Sequence, residues 1–551
     1  MPYGSIFVSI EGTESHASLA RVVPVCFGRV EPTESTWRGG RQVSDANDTI
    51  PRMNDPPEAP DGSATIGHAR SRSIRWYRIP DRADPWLAGV AATLVGMALS
   101  WRPSFWFDEA ATIAAANRSE IDILRLLLNF DAVHGLYYLT MHAWLSWVPI
   151  NEFTARLPSA AAVGIAAAGL IVLGRLVADR PTAWGAAVSF TVLPRTLWSA
   201  VEARSYALTT AIAVWLTVVL LIAAARRGCA LWALYALTLA LATVTYVYLI
   251  LLVMAHAITL ILMRKWWQLL PFSIAVSSGL VLASPLIALA AGQRHTQLWW
   301  IGEGRYISGV VWQQWLVGSR LFMCAAVVVL LWGSVLLITR KAGGGALVVA
   351  LPWVVVPTGM LVGYSVLGSN IYSPRYLTYT APGVGLLLGV CIAAIARQRS
   401  RAQIALLVLL ALSSSTAFLT QRSKYGKPGG ADYSEIATVI KTNSRPHDCV
   451  VFAAANHEPL RAAAAARPDA FRHLDDVAAG TPGSYAAQLW TQDLPLDSDA
   501  VKPRLARCTV LWAVIDRSTP SPAVNVAEQQ GFTVDHQWIL HRSNVIRLKR
   551  P

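Results

Sequence analysis

A chain of 551 residues would ordinarily make several soluble domains, but 54% of these residues are hydrophobic and 15% charged, where soluble globular proteins carry about 25% charged residues. With a mean hydropathy of +0.41, the composition excludes a soluble, fibrous or disordered protein and fits a multi-span membrane protein. The 47 Lys and Arg outnumber the 33 Asp and Glu to give +14. The arginines cluster in short junctions between apolar runs, however, which is the pattern of the positive-inside rule and not of nucleic-acid binding.

In chain order, residues 1–82 are polar and rich in Ser, Arg, Pro and Gly, and MNDPPEAPDGSA reads as a solvated linker. The first residues lack the long apolar core of a signal peptide. This stretch is expected to be a disordered cytoplasmic extension, or the product of a start codon assigned too far upstream. Eleven apolar runs follow, at 85–101, 158–178, 183–200, 206–225, 230–246, 247–263, 269–291, 321–339, 346–367, 376–396 and 402–419. Each is near the ~20 residues that a helix needs to cross a bilayer, and the junction near Tyr246 rests on length alone.

Arginine sets the expected orientation. Arg70, Arg72, Arg75, Arg78 and Arg82 precede the first run. Further clusters are Arg175 with Arg180, Arg226 with Arg227, Arg264 with Lys265, Arg340 with Lys341, and Arg397 with Arg399 and Arg401. They fall at every second junction, which puts the N-terminus in the cytoplasm. The same parity keeps the apolar segment 134–150 out of the span count. It is expected to lie along the membrane surface in the first external loop, with Leu136, Leu139, Ala143, Trp144 and Trp147 on one stripe and His134, Tyr138 and His142 on another. A second external loop, 292–320, carries the interfacial pair Trp299 and Trp300, and a third runs over 368–376.

From 421 onward the pattern changes. DYSEIATVIKTN reads as an amphipathic helix, DCVVFA and CTVLWAVID as buried strands, SPAVNVAEQQG as a helix and HQWILHRSNVIRL as a terminal hairpin. The fold class is therefore a polytopic α-helical membrane protein of about eleven spans, residues 83–420, with a small extracytoplasmic α/β domain over 421–551. None of the six cysteines forms a CxxC. Cys449 and Cys508 flank predicted strands of the outer domain and are either a disulfide or two buried thiols.

The densest chemical signal is SFWFDEA, with Asp108 and Glu109 just after the first run. Adjacent helical residues diverge by about 100°, so one carboxylate can act while the other orients or caps. Arg195 lies in the outer half of the third run, within LPRTLW. Glu202, Arg204 and Tyr206 follow in VEARSYAL, and Arg375 with Tyr376 in SPRYL. Three arginines thus converge on the level of Asp108, and guanidinium groups suit phosphate oxygens. His134 and His142 stand about 12 Å apart along a helix, too far to share one metal ion. His134 alone is a substrate contact, and His142 reads as an interfacial histidine. His295 and Glu303 are weaker acceptor contacts. No Walker A sequence and no HExxH occurs.

The order FDEA, HGLYYLTMHAWL, EFTARLPSA, PRTLWSAVEARSYAL and SPRYLTYTAPG resembles the GT-C glycosyltransferases of the membrane mannosyltransferase and aminoarabinose-transferase kind. The resemblance spans about 86–397, and the C-terminal part more loosely. It implies transfer of a sugar, with mannose the first expectation, from a polyprenyl-phosphate carrier to a lipid, glycan or protein hydroxyl outside the cytoplasm. It further implies Asp108 as general base, with Glu109, His134, Tyr138, Arg195, Glu202, Arg204, Tyr206, Arg375 and Tyr376 around the substrate. The family's first-loop helix usually opens His-Pro-Pro, whereas this chain has His134, Gly135 and Leu136. Some relatives bind a divalent metal near these acids, with Glu109 and Glu202 as candidate ligands, and the sequence does not decide whether this chain binds one. Two other readings are a non-catalytic polyprenyl-lipid flippase and a membrane anchor for the outer domain. A flippase should distribute polar residues through several spans and show internal repeats. Eleven spans are excessive for an anchor.

Overall fold

The computed structural model describes residues 82–551 except 227, 299–300, 302–305, 398, 454–457, 487 and 519–520, with backbone alone at 295–297. The expectations for the N-terminal extension, Arg227, Trp299, Trp300, Glu303 and the His295 side chain lie outside the described residues.

The first helices in chain order are α1 (Ala83–Met97), α2 (Phe107–Ala116), α3 (Glu120–Asn129), α4 (Gly135–Leu145) and α5 (Glu152–Val177). They are followed by α6 (Arg180–Val192), α7 (Pro194–Ala200), α8 (Tyr206–Arg226), α9 (Cys229–Thr245), α10 (Leu251–Leu262) and α11 (Leu269–Leu298). Further apolar helices run over Arg320–Thr339, Gly344–Leu367, Ala381–Ala396 and Ser400–Ser413. Every apolar run of the sequence falls on a helix. Among the described residues, seven helices are long and apolar enough to cross a membrane, and Cys229–Thr245 and Val247–Leu262 are shorter apolar helices. Helix α1 has only 15 residues. Length and apolarity therefore do not establish the count of eleven. Val281, Leu331 and Ile338 are 70%, 66% and 76% exposed, which fits surroundings of hydrocarbon and not water.

Two local breaks shape the end of the bundle that carries Asp108. The run 183–200 is not one helix, because Leu193 is extended and Pro194 starts α7. Proline has no N–H and disfavours helical geometry in the residue before it. The other break precedes α5, where the Asn151 side chain accepts from the Phe153 and Thr154 amides at 3.1 and 3.0 Å. The Asn151 amide in turn donates to the Thr154 hydroxyl, completing a capping box. Helices α1 and α5 pack closely through small residues. A Cβ at Gly164 would overlap the Thr93 hydroxyl and the Gly89 carbonyl.

The segment 134–150 contains α4, with 11 residues, too short to span a bilayer. Its two stripes are present, and the polar one faces the protein. His134, Tyr138 and Met141 are buried, whereas Trp147 is 87% exposed.

The C-terminal part carries a mixed five-stranded sheet of β1 (Cys449–Phe452), β2 (Asp475–Asp476), β3 (Val510–Asp516), β4 (Thr533–Ile539) and β5 (Ser543–Lys549), ordered β2-β1-β3-β5-β4. Strand β1 runs parallel to β2 and β3, and β5 runs antiparallel to β3 and β4. The predicted helices are found at Tyr433–Asn443 and Pro522–Gln529. Alternation along β1 and β3 sends Val450, Phe452, Trp512 and Val514 to one face and Cys449, Val451, Leu511 and Ala513 to the other, and both faces are buried. The first face shares its core with Phe105, Ala110, Ile113, Ala155 and Ala203 of the helical part. Cys449 and Cys508 form a disulfide with Cα atoms 5.9 Å apart.

Candidate active site

The chain leaving α1 folds back around one buried guanidinium. Arg156, fully buried on α5, donates to the carbonyls of Ser100 at 2.7 Å, Pro103 at 2.8 Å and Ser104 at 3.2 Å. Its remaining N–H groups grip both carboxylate oxygens of Glu109, each at 2.7 Å, the fork geometry that arginine offers a carboxylate. The Ala203 amide donates to the same carboxylate at 3.0 Å. Burial pushes the Glu109 carboxyl up, but Arg156, Lys427 and the Ala203 amide outweigh it and hold the group below its ordinary range. The neighbouring residue looks the other way, as helix geometry requires. The Asp108 side chain is 14% exposed, where that of Glu109 is 0%. Asp108 accepts a 2.7 Å hydrogen bond from Arg375.

Glu202 forms the back of this centre. It accepts from the Trp106 indole at 2.6 Å and from the Lys427 ammonium at 2.6 Å. Lys427 also donates to the Val201 carbonyl and lies 3.7 Å from Glu109. Burial raises the Glu202 carboxyl to about 7; Lys427 opposes the rise, and nearby Glu109 and Asp108 add to it. The Trp106 ring sits 5.9 Å from the Arg375 guanidinium, so that indole bonds the buried acid and lies beside the arginine paired with the accessible one.

A second polar group gathers around Arg204. Its guanidinium donates to the Tyr138 hydroxyl at 3.3 Å and to His134 Nε2 at 2.9 Å. Arginine has no acceptor, so His134 accepts through Nε2 and carries its proton on Nδ1. Burial, followed by the charge of Arg204, keeps the His134 imidazole well below its ordinary value and therefore neutral. The Tyr138 hydroxyl donates to Asp131, a buried residue with φ of 59°, in the left-handed region that Asp and Asn tolerate best. Burial raises the Asp131 carboxyl, against the opposing effects of Arg204 and Tyr138. His134 Nδ1, Arg204 Nε and the Tyr246 hydroxyl are buried here with no hydrogen-bond partner. Tyr206, Tyr246, Tyr248 and Tyr376 wall the group, with Tyr248 and Tyr376 stacked at 5.2 Å and Tyr246 at 6.1 Å from His134.

The structure thus brings together Asp108, Glu109, His134, Tyr138, Glu202, Arg204, Tyr206, Arg375 and Tyr376. Arg195 is directed elsewhere. Its guanidinium donates to the carbonyls of Gln314 at 2.8 Å and Gln313 at 2.5 Å and lies over Trp198, so it ties the segment around Gln313 and Gln314 to α7. His142 bonds the Ala116 carbonyl at 2.8 Å and ties α4 to α2. Neither Glu109 nor Glu202 presents a donor set for a divalent metal, since Arg156, Lys427, Trp106 and the Ala203 amide already occupy their oxygens. Among the described residues no group of three or more His, Cys, Asp or Glu has metal-binding geometry.

Sequence reasoning missed Arg156, Lys427, Trp106 and Asp131. Arg156 lies inside EFTARLPSA and Trp106 inside SFWFDEA, so both stood within segments already singled out. Asp131, three residues before His134, and Lys427, in the polar stretch KYGKPGG, carried no signal separable from a loop.

No protein-family model matches the sequence, and no curated protein matches it. Among solved structures, the chain is similar to ArnT from Cupriavidus metallidurans in the apo state, with a TM-score of 0.55 and 14% identity over 84% of this chain and 98% of that one. It is equally similar to the same protein bound to undecaprenyl phosphate, with a TM-score of 0.55 and 14% identity over 85% of this chain and 98% of that one. The chain therefore has a GT-C-like fold, a polytopic helical membrane architecture completed by a small C-terminal sheet.

Proposed function

We propose that the chain is an inverting glycosyltransferase that moves a sugar from a polyprenyl-phosphate carrier to an acceptor hydroxyl outside the cytoplasm, with mannose as the donor sugar and an envelope glycan or glycolipid as the acceptor. The observation that carries the reading is the pairing of one partly exposed carboxylate, Asp108, with Arg375 at 2.7 Å, beside an Arg204 that keeps an unpartnered N–H. An acceptor hydroxyl is a poor nucleophile, and a positioned carboxylate removes its proton as the new bond forms. Asp108 takes that proton while the acceptor oxygen bonds the anomeric carbon. The bond from that carbon to the phosphate oxygen breaks on the opposite side, and its electron pair leaves on the carrier phosphate. The leaving group is already a stable anion and needs positive charge to hold it, not a general acid. Arg375 and Arg204 supply that charge, and the tyrosines provide hydroxyls for the sugar. A structure of similar fold crystallised with undecaprenyl phosphate supports the choice of carrier.

In this reading the chain resides in the cell membrane with its N-terminus in the cytoplasm and residues 421–551 outside. The alternation of arginine clusters and the Cys449–Cys508 disulfide support that orientation. The test is transfer from a defined polyprenyl-phosphate sugar by the purified protein in lipid vesicles, wild type against Asp108→Asn. Equal activity of the two proteins rejects the general-base role. Movement of the lipid across the vesicle with no transfer favours a flippase instead. A periplasm-sensitive reporter fused after Pro551 should be active, and a cytoplasmic signal would reverse the orientation.

A further inference from the structure

We propose that Lys427 is a positioning residue through which the linker to the C-terminal sheet holds the acid-bearing turn in its working shape. The inference rests on the glycosyl-transfer reading above and adds to it that the C-terminal part is a component of the active centre, not an appendage. Three attachments fix the linker to the turn. Arg422 donates to the Ala98 carbonyl at 2.8 Å and the Val95 carbonyl at 3.3 Å. The Ser104 amide donates to the Lys424 carbonyl at 2.9 Å. Ser434 accepts from the Phe105 amide at 3.0 Å, and its own amide donates to the Ser104 hydroxyl at 3.0 Å. Between these ties Lys427 enters the protein with its side chain 1% exposed. A lysine is almost never buried so fully unless paired.

Its partners explain the entry. The ammonium meets Glu202 at 2.6 Å and lies 3.7 Å from Glu109. Glu202 in turn accepts from the Trp106 indole, and that ring lies beside the Arg375 guanidinium that pairs with Asp108. Lys427 thus reaches Asp108 through Glu109, its neighbour in the chain, and through Glu202, Trp106 and Arg375, and among the described residues no contact runs from its ammonium to the proposed base. After Lys427 and Pro428, Gly429 and Gly430 have φ of 68° and 64°. A pair of residues in that region is natural to glycine and turns the chain out again after one buried side chain.

The experiment uses the full-length protein in lipid vesicles, a polyprenyl-phosphate sugar as donor, and thermal unfolding with and without undecaprenyl phosphate. Lys427→Met should lower kcat on the order of 10²-fold, the cost of a misplaced catalytic group, with the donor KM within about threefold of wild type. Undecaprenyl phosphate should still raise its unfolding temperature, and Lys427→Arg should recover most of the lost kcat. Wild-type kcat in Lys427→Met overturns the proposal. So does a raised donor KM with kcat retained, which would make Lys427 a direct phosphate contact. If Lys427→Met does not fold, the Glu202→Gln/Lys427→Met double variant, which removes both charges, carries the test: reduced kcat supports positioning, and wild-type kcat means charge balance alone and overturns it. A wild-type protein that transfers no sugar defeats the underlying reading and this one together, whereas an active wild type with an equally active Lys427→Met defeats this one only.

Discussion

Two buried polar regions of this chain are built on opposite terms. Midway along the bundle, His256 on α10 meets the Tyr235 hydroxyl through Nδ1 at 2.9 Å and the Thr217 hydroxyl through Nε2 at 3.1 Å. Both ring nitrogens are satisfied, and no charged side chain takes part. At one end of the bundle, Asp108, Glu109, Asp131, Glu202, Arg156, Arg204, Arg375 and Lys427 crowd together, and His134 Nδ1, Arg204 Nε and the Tyr246 hydroxyl are left over. A closed neutral network ties helices and asks for nothing more. A charged network with buried donors and acceptors still open is one that a ligand completes. The proposed glycosyl transfer places its chemistry in the second region, and the first is left a structural role.

Breaking the second region should give the largest effects. Asp108→Asn should cost about 10²–10⁴-fold in kcat, the usual range for a lost general base, with the unfolding temperature kept. Transfer assays paired with thermal unfolding check both halves of that statement. Arg156→Met leaves Glu109 buried without its fork partner and should destabilise by about 3–5 kcal/mol. Size-exclusion chromatography in detergent should show a sharply reduced monodisperse peak.

Glu202 sharpens the comparison through pH. Its folded value, raised to about 7 by burial, stands above that of the unfolded chain, so the folded protein holds the extra proton between them. Stability from this group is complete below the unfolded value and is lost as pH rises through about 7. Thermal unfolding across that window should decline for the wild type and stay flatter for Glu202→Gln. The smallest effect belongs to the first region. His256→Leu opens one hydroxyl partnership on each side and should cost about 1–3 kcal/mol, with kcat unchanged. A large loss of kcat there would erase the distinction.

Much of this was legible in the sequence where physics makes a residue conspicuous. Asp108, Arg204 and Arg375 stand at the ends of apolar runs, where a charge is costly to leave unexplained. The helix stripes of α4 were legible as well. Which stripe faces the protein was not, because the usual rule of apolar inside is reversed where lipid is the solvent. Arg156 and Lys427 stayed hidden for a different reason. Each lies in a segment that reads as an ordinary helix start or polar linker, and each is buried only because carbonyls and carboxylates distant in sequence converge on it. Pro194 was visible as a helix breaker, yet the apolar character on both sides made 183–200 read as continuous. The strand β2 has only two residues, fewer than any alternation can reveal.

The proposed placement of residues 421–551 outside can be read from the bond between Cys449 and Cys508. Both cysteines are packed with Val451, Leu511 and Ala513 on one side of the sheet, and Cys449 and Cys508 are only 5% and 3% exposed. A domain closed this way resists alkylation until it is reduced and unfolded, whereas a copy threaded to the reducing side would take two labels at once. Counting thiols on a denaturing gel therefore reports the sidedness of the last 130 or so residues with no fusion attached.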